Sequence, residues 1–281
     1  MDLIKKHIVK PGESVKLKSI ATEPDGPFDG KEDAREYVAD TITKMQHLQY
    51  RLFVEGKQSL LIILQAPDAA GKDGLIRKTL GRMNPQGVRT YPFKVPTPIE
   101  LSHDFLWRTH QCTPAAGQIS IFNRSHYEDV LVVRVEDLVP KSIWSKRYEI
   151  INQFESLLCE RGTRILKFYL HISAREQLER FKERLDYPEK HWKLNAGDYD
   201  VRDKMPKYHQ AYEDVFEKCS TKRAPWFIIP ADKKWYRDAA VAHIVHETMK
   251  EMDPQLPKVE ADLDEIRALY EREAAEMGQD S

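Results

Sequence analysis

Five apolar residues in a row, Leu60-Leu61-Ile62-Ile63-Leu64, mark the most clear-cut element of this chain. A run of that length, rich in branched side chains, predicts a strand buried on both faces of a parallel sheet. Four more segments predict strands, at 88–94, 118–122, 164–172 and 226–230. Pro92 places the first of these near a strand end or a sheet edge. Between the strands the apolar spacing lengthens to three and four. Val38, Ile42, Met45, Leu48, Leu52 and Phe53 predict an amphipathic helix from Asp33 to near Gly56. Trp144, Tyr148, Ile151, Phe154 and Leu158 predict a long helix over 143–160. Further helices are predicted over 75–83, from Pro96 through 103–108, from Ser173, from about Pro206, and over 239–252. Ser173 with Glu176 three residues on is a capping box.

Strands that alternate with helices predict an α/β fold: a mostly parallel five-stranded sheet with helices on both faces. Residues 1–30 hold six prolines and glycines and little periodicity, and predict an irregular arm. The tail, 260–281, is acidic and helix-prone. The chain therefore divides into an arm and helix (1–56), a core (57–255) with an insert at about 173–224, and a helical tail (256–281).

Composition narrows the partners. Charged residues make up 32% of the 281 residues, yet the net charge is −1, which is not that of a strongly basic nucleic-acid binder. Any anion site must come from local clustering. Cys112, Cys159 and Cys219 form no C-x-x-C, so neither a disulfide framework nor a zinc site is expected, and a reducing cytoplasm fits. The first residues lack a long apolar segment, which argues against secretion. No apolar run reaches membrane-spanning length.

The chemistry starts where the first strand ends. Ala66-Pro67-Asp68-Ala69-Ala70-Gly71-Lys72-Asp73-Gly74 has the order of a phosphate-binding loop: strand, small-residue turn, Gly-Lys, helix. The backbone of Ala69 to Asp73 would cradle an anion, and Lys72 would supply a mobile charge. Ala66 stands where the usual pattern has its first glycine, and Asp73 where it has the metal-binding Ser or Thr. Asp68 adds a carboxylate that phosphate would repel unless a divalent cation lay between them. The bland alternative is a tight turn with Asp68 as a helix N-cap.

A second polar cluster, Asn123-Arg124-Ser125-His126-Tyr127-Glu128-Asp129, follows the third strand, at the sheet edge where α/β folds bind ligands. In the insert, Arg180 and Arg184 share a helix face. Lys190, His191, Trp192 and Lys193 form a basic turn before the next helix. Beside a phosphate loop, two helices joined by such a turn read as a lid. His126 has a structural or hydrogen-bonding role ahead of a covalent one.

Four stretches in this order resemble the polyphosphate kinase 2 family: Asp68-Ala69-Ala70-Gly71-Lys72-Asp73-Gly74, Asp104-Phe105-Leu106-Trp107-Arg108, Asn123-Arg124-Ser125-His126-Tyr127-Glu128, and Arg180 to Lys193. The resemblance runs from about Phe53 to about Met252, on the pattern of the one-domain branch. It implies a P-loop kinase α/β/α sandwich, similar to thymidylate kinase, with a helical lid. It implies transfer of the terminal phosphoryl group of inorganic polyphosphate to a nucleotide, with Mg²⁺, in a homodimer or homotetramer. It places Asp68 at the metal, Lys72 and Arg124 at the transferring phosphate, and Arg180, Arg184, Lys190 and Lys193 along the polyphosphate. Lys94, His103, Arg108, Asn123, Arg124 and Glu128 are the expected nucleotide side. Asn123 stands where many diphosphate-accepting members have aspartate, so it cannot supply a second metal carboxylate. Glu128 or Asp129 substitutes, or Asp68 works with phosphates and water. The asparagine form resembles members that accept AMP as well as ADP, with GMP and GDP as further candidates. The alternative is an ATP-dependent nucleoside or nucleotide kinase on the same fold.

Overall fold

A computed structural model describes residues 2–279. Its first elements are a helix α1 (Leu3–His7), a two-residue strand β1 (Ile8–Val9), the long helix α2 (Lys31–Glu55) and the apolar strand β2 (Ser59–Gln65). Then follow α3 (Lys72–Lys78), β3 (Val88–Pro92), α4 (Pro98–Leu101), α5 (Trp107–His110) and β4 (Ile119–Asn123). The second half contains α6 (Val132–Val135), α7 (Lys141–Glu160), β5 (Thr163–His171), α8 (Ala174–Asp186), α9 (Gly197–Asp203) and α10 (Met205–Cys219). The chain closes with β6 (Trp226–Pro230), α11 (Lys234–Met252) and α12 (Leu263–Gln279).

The sheet runs β1-β6-β5-β2-β4-β3, and every pairing but one is parallel. It has six strands rather than the expected five. The extra strand, β1, lies in the arm read as irregular and pairs antiparallel with β6. Two residues are too few for a periodic signal. They are held by Val9, buried beside β6, and by α1, whose N-cap Asp2 accepts the Lys5 N–H at 3.0 Å.

Alternate residues of the central strands serve opposite faces, as a pleated strand requires. Leu60, Ile62 and Leu64 pack with Met45 of α2, Leu75 of α3 and Val241 of α11. Leu61 and Ile63 pack with Ile151 and Phe154 of α7 and Val215 and Phe216 of α10. The result is a three-layer α/β/α sandwich, as expected.

Two helix predictions are corrected. The helix read over 75–83 begins earlier, at Lys72, and ends at Lys78, with a 3₁₀ turn over Leu80–Arg82. The helix read from Pro96 breaks into α4 and α5. Thr97 and Glu100 form a capping box that starts α4, and Asp104 accepts the Leu106 N–H ahead of α5. The acidic tail is a helix with Leu263, Ile266 and Tyr270 exposed. No helix among the described residues is long and apolar enough to cross a membrane.

Lys167, in the middle of β5, is fully buried. Its ammonium donates to Glu155 at 2.5 Å, Tyr127 Oη at 2.9 Å and the Cys219 carbonyl at 2.6 Å, and Tyr127 donates to Glu155 at 2.8 Å. Removing one partner of such a pair leaves a bare buried charge. Glu155→Ala is therefore expected to lose about 3–5 kcal/mol of stability in urea unfolding. Glu155→Ala with Lys167→Met should recover most of that loss; a single variant as stable as the wild type refutes the pairing. His126 is also fully buried beside Glu155, and burial pushes its imidazole toward the neutral form. It has no path to a phosphoryl group.

Candidate active site

The loop between β2 and α3 turns at the carboxyl edge of the sheet. Ala69 (φ 63°) and Gly71 (φ 98°) both take left-handed backbone. That geometry within a turn gathers peptide N–H groups into an anion-binding concavity. Only glycine fits at 71: a Cβ there would stand 2.0 Å from Arg237 Nη1. Gly71, not Asp68, occupies the N-cap of α3, so the bland reading of Asp68 falls.

Lys72 is anchored back across the loop, donating to the Ala66 carbonyl at 2.9 Å. It is buried, and that burial, with the nearby Arg124 charge, pushes its ammonium down to about 8. Arg124 follows β4 with left-handed backbone (φ 62°), a conformation that costs a non-glycine residue on the order of 1 kcal/mol or more. Its N–H bonds the Leu64 carbonyl at 3.0 Å, which ties the turn after β4 to β2. Its guanidinium donates to Asp68 Oδ1 at 2.9 Å and lies 3.8 Å from Glu128. Lys72, Arg124, Asp68 and Glu128 thus meet at one edge.

Asn123 has a neighbour that explains its identity. Its amide donates to Asp73 Oδ1 at 2.8 Å. A second carboxylate at that distance would repel the first, whereas an amide bonds it. Asp73, a departure of the loop, and Asn123, a departure at the end of β4, are one hydrogen-bonded pair.

Arg180, expected along the polyphosphate, lines the cleft at this edge as a fixed group. It is buried, and all five of its donors are engaged. Nε meets Glu176 at 2.8 Å, Nη1 the carbonyls of Ala69 and Ala70, and Nη2 the carbonyls of Ala231 and Asp232. It clamps the loop to the end of β6. Arg184, one turn on, is partly open to the cleft and holds Asp198 at 2.8 Å. Lys190 pairs with Glu183 at 3.5 Å, and Lys193 lies over the Trp192 ring.

Three expected nucleotide contacts are not brought to the site. Arg108 is buried, donates to the Lys94 carbonyl at 2.9 Å and lies over the Phe93 ring. His103 stacks on Trp107 at 4.1 Å. Lys94 is exposed and lines neither cleft described below. Of the two carboxylates left open, Glu128 lines a cleft, while Asp129 is bound to Arg147 at 2.9 Å. Burial raises the Asp129 carboxyl to about 6.

Two residues were missed. Arg237 donates to the Ala70 carbonyl at 3.1 Å and lines the loop cleft. Its signal was the basic run 233–237 directly after the last strand, the same position that drew attention to Arg124. Asp198 had no signal, because its role comes from folding back onto Arg184.

Two clefts meet at this edge and share Asp68, Asp73, Arg124, Arg184 and Lys193. One, of about 520 Å³, is lined by lysines and arginines that outnumber carboxylates ten to three. The other, of about 680 Å³, carries Glu128 and Glu136 with Trp192, Tyr208 and Tyr212. Among the described residues no group of three or more His, Cys, Asp or Glu side chains could hold a metal alone. The oxygen donors of Asp68 and Glu128 suit a hard divalent cation whose remaining ligands are phosphate and water. A phosphate loop on a parallel sheet, with an arginine-rich insert above it, defines a phosphotransferase of the P-loop kinase class.

Comparison with known proteins narrows the class. The family model for polyphosphate kinase 2 matches residues 29–257. The chain is 47% identical to the AMP/ADP-polyphosphate phosphotransferase of Meiothermus ruber, over 94% of this chain and 99% of that one. It is 41% identical to the ADP-polyphosphate phosphotransferase of Rhodopseudomonas palustris, over 90% and 92% of the two chains. The crystal structure of polyphosphate kinase 2 from Arthrobacter aurescens superposes with a TM-score of 0.91 at 41% identity, covering 94% of this chain and 95% of that one. The chain belongs to the polyphosphate kinase 2 family.

Proposed function

We propose that the protein moves the terminal phosphoryl group of inorganic polyphosphate onto AMP and ADP, with Mg²⁺ held by Asp68 and Glu128. The supporting observation is the division of labour between the two clefts. The basic one has no aromatic side chain among its described lining residues, and suits a donor made only of phosphate. The other has aromatic walls from Trp192, Tyr208 and Tyr212, and suits a nucleobase. An ATP donor would bring a second base, for which the basic cleft offers no platform.

The acceptor phosphate is already ionised, so transfer needs no general base. It needs alignment and neutralised charge. In this reading Lys72 and Arg124 hold the moving group, and Arg180 and Arg237 keep the loop carbonyls turned away from it. Arg184 and Lys193 bridge donor and acceptor from the insert, which acts as a lid. Bound Mg²⁺ supplies further positive charge against the phosphate oxygens. Three free cysteines support a reducing, cytoplasmic setting. The exposed apolar residues of α12 support a homodimer or homotetramer.

The test is a transfer assay with Mg²⁺ and long-chain polyphosphate, offering AMP and ADP separately. ADP from AMP and ATP from ADP are expected. Product from ADP alone would refute the reading of Asn123 and Glu128 as the monophosphate-accepting pattern. Transfer only when ATP is the donor would replace the proposal with the ATP-dependent kinase.

A further inference from the structure

The basic cleft does not end at Lys78 and Lys234. The same two lysines form a wall of another depression, of about 460 Å³, beyond the C-terminal end of α3. This one adds Lys31 and Arg35 from the first turns of α2, and Lys233 from the N-cap of α11. Three carboxylates also line it, and each is engaged. Glu176 holds Arg180 at 2.8 Å, and Asp238 holds Arg237 at 2.6 Å. Asp232 accepts from the Thr22 hydroxyl at 2.8 Å and the Ser173 N–H at 2.7 Å.

The cations are less committed. Arg35, Lys233 and Lys234 make solvent-exposed pairs with Glu32, Glu23 and Glu183, the kind that contributes little and yields to a stronger anion. Lys31 and Lys78 have no ion-pair partner among the described residues. Thr79, in the same wall, has a buried hydroxyl with no hydrogen-bond partner among the described residues.

We propose that this depression is a distal track for the donor. A polyphosphate chain whose end lies at Lys72 leaves the basic cleft between Lys78 and Lys234 and crosses Lys31, Arg35 and Lys233. The inference rests on the donor reading above. A polyanion carries charge along its whole length, so each further phosphate that meets a cation displaces counterions and adds affinity. A chain too short to pass Lys78 gains nothing from the track. Preference for long donors follows from the geometry.

The test compares the wild type with Lys31→Ala/Arg35→Ala. Both side chains are exposed, and neither touches the loop. The ratio of KM for long-chain polyphosphate to KM for tetrapolyphosphate is expected to rise about five- to tenfold, as for two surface contacts of ordinary strength. An unchanged ratio overturns the track, and so does an equal rise for both lengths. Calorimetric binding of long-chain polyphosphate without nucleotide reads the track independently of transfer. Wild-type protein that binds the polymer but does not transfer from it would defeat the proposed reaction, yet weaker binding by the variant would still support the track. A variant that binds the polymer as tightly as the wild type defeats it.

Discussion

Lys72→Met is expected to lower kcat/KM for polyphosphate by about 10³-fold or more while the protein stays folded, the usual scale for a charge aimed at a transferring phosphoryl group. Methionine keeps the buried stem and removes the ammonium. The lysine touches the Ala66 carbonyl, and its burial leaves that charge poorly solvated until a phosphate arrives. A wild-type rate in this variant sinks the phosphate-loop reading. The same burial sets a pH signature. With its ammonium pushed down to about 8, Lys72 is charged in the free enzyme below that pH and neutral above it. Because kcat/KM reports free-enzyme groups, it should fall as pH rises through about 8 in the wild type. Stability moves the other way. The folded state holds this proton less tightly than the unfolded chain, so the cost of the buried charge is full below about 8. That cost is relieved as pH rises toward the unfolded value near 10.5. A flat alkaline limb of kcat/KM contradicts the assignment.

Asp68→Asn is expected to lower transfer by about 10²–10³-fold while leaving metal-free binding of polyphosphate unchanged or tighter. The two effects separate a carboxylate that holds a cation from one that merely shapes a turn. Asparagine keeps the size of the side chain and still accepts from Arg124, so the loop keeps its form. What disappears is a negative charge in a cleft where cations outnumber carboxylates ten to three. A bare polyanion should be held as well or better without it. Weaker metal-free binding would mean that Asp68 orders the loop, and unchanged transfer would remove it from the reaction. Calorimetry with polyphosphate in a chelating buffer, beside a transfer assay with saturating Mg²⁺, measures both.

The elements were legible where a long segment depends on local physics. Leu60 to Leu64 reads as a buried strand because each residue is apolar, whichever face it meets, and both faces are covered. The loop was legible because Asp68-Ala69-Ala70-Gly71-Lys72-Asp73-Gly74 follows such a strand and pairs with the Asn123 to Glu128 run further on. Asp68, Lys72 and Arg124 converge because strands β2 and β4 are neighbours, each delivering its following turn to the same edge. Alternation of strands and helices was enough to expect that edge. The break between α4 and α5 was less legible, since short caps at Thr97 and Asp104 compete with weak periodicity.

Tertiary structure decided which arginine does what. Arg108, Arg180, Arg184 and Arg237 look alike in a sequence, as long cations near polar stretches. Folding buries Arg108 against the Lys94 carbonyl and turns Arg180 and Arg237 onto loop carbonyls. Arg184 instead bonds Asp198, a carboxylate brought back from fourteen residues away. A guanidinium is committed by whatever unsatisfied oxygen lies within its reach, and that is a property of neighbours in space. Strand character and loop chemistry depend on neighbours along the chain, so the sequence by itself determined them. The burial that tunes Lys72 and the meeting of the two clefts at Asp68 depend on how the layers close, and only the folded structure decided them.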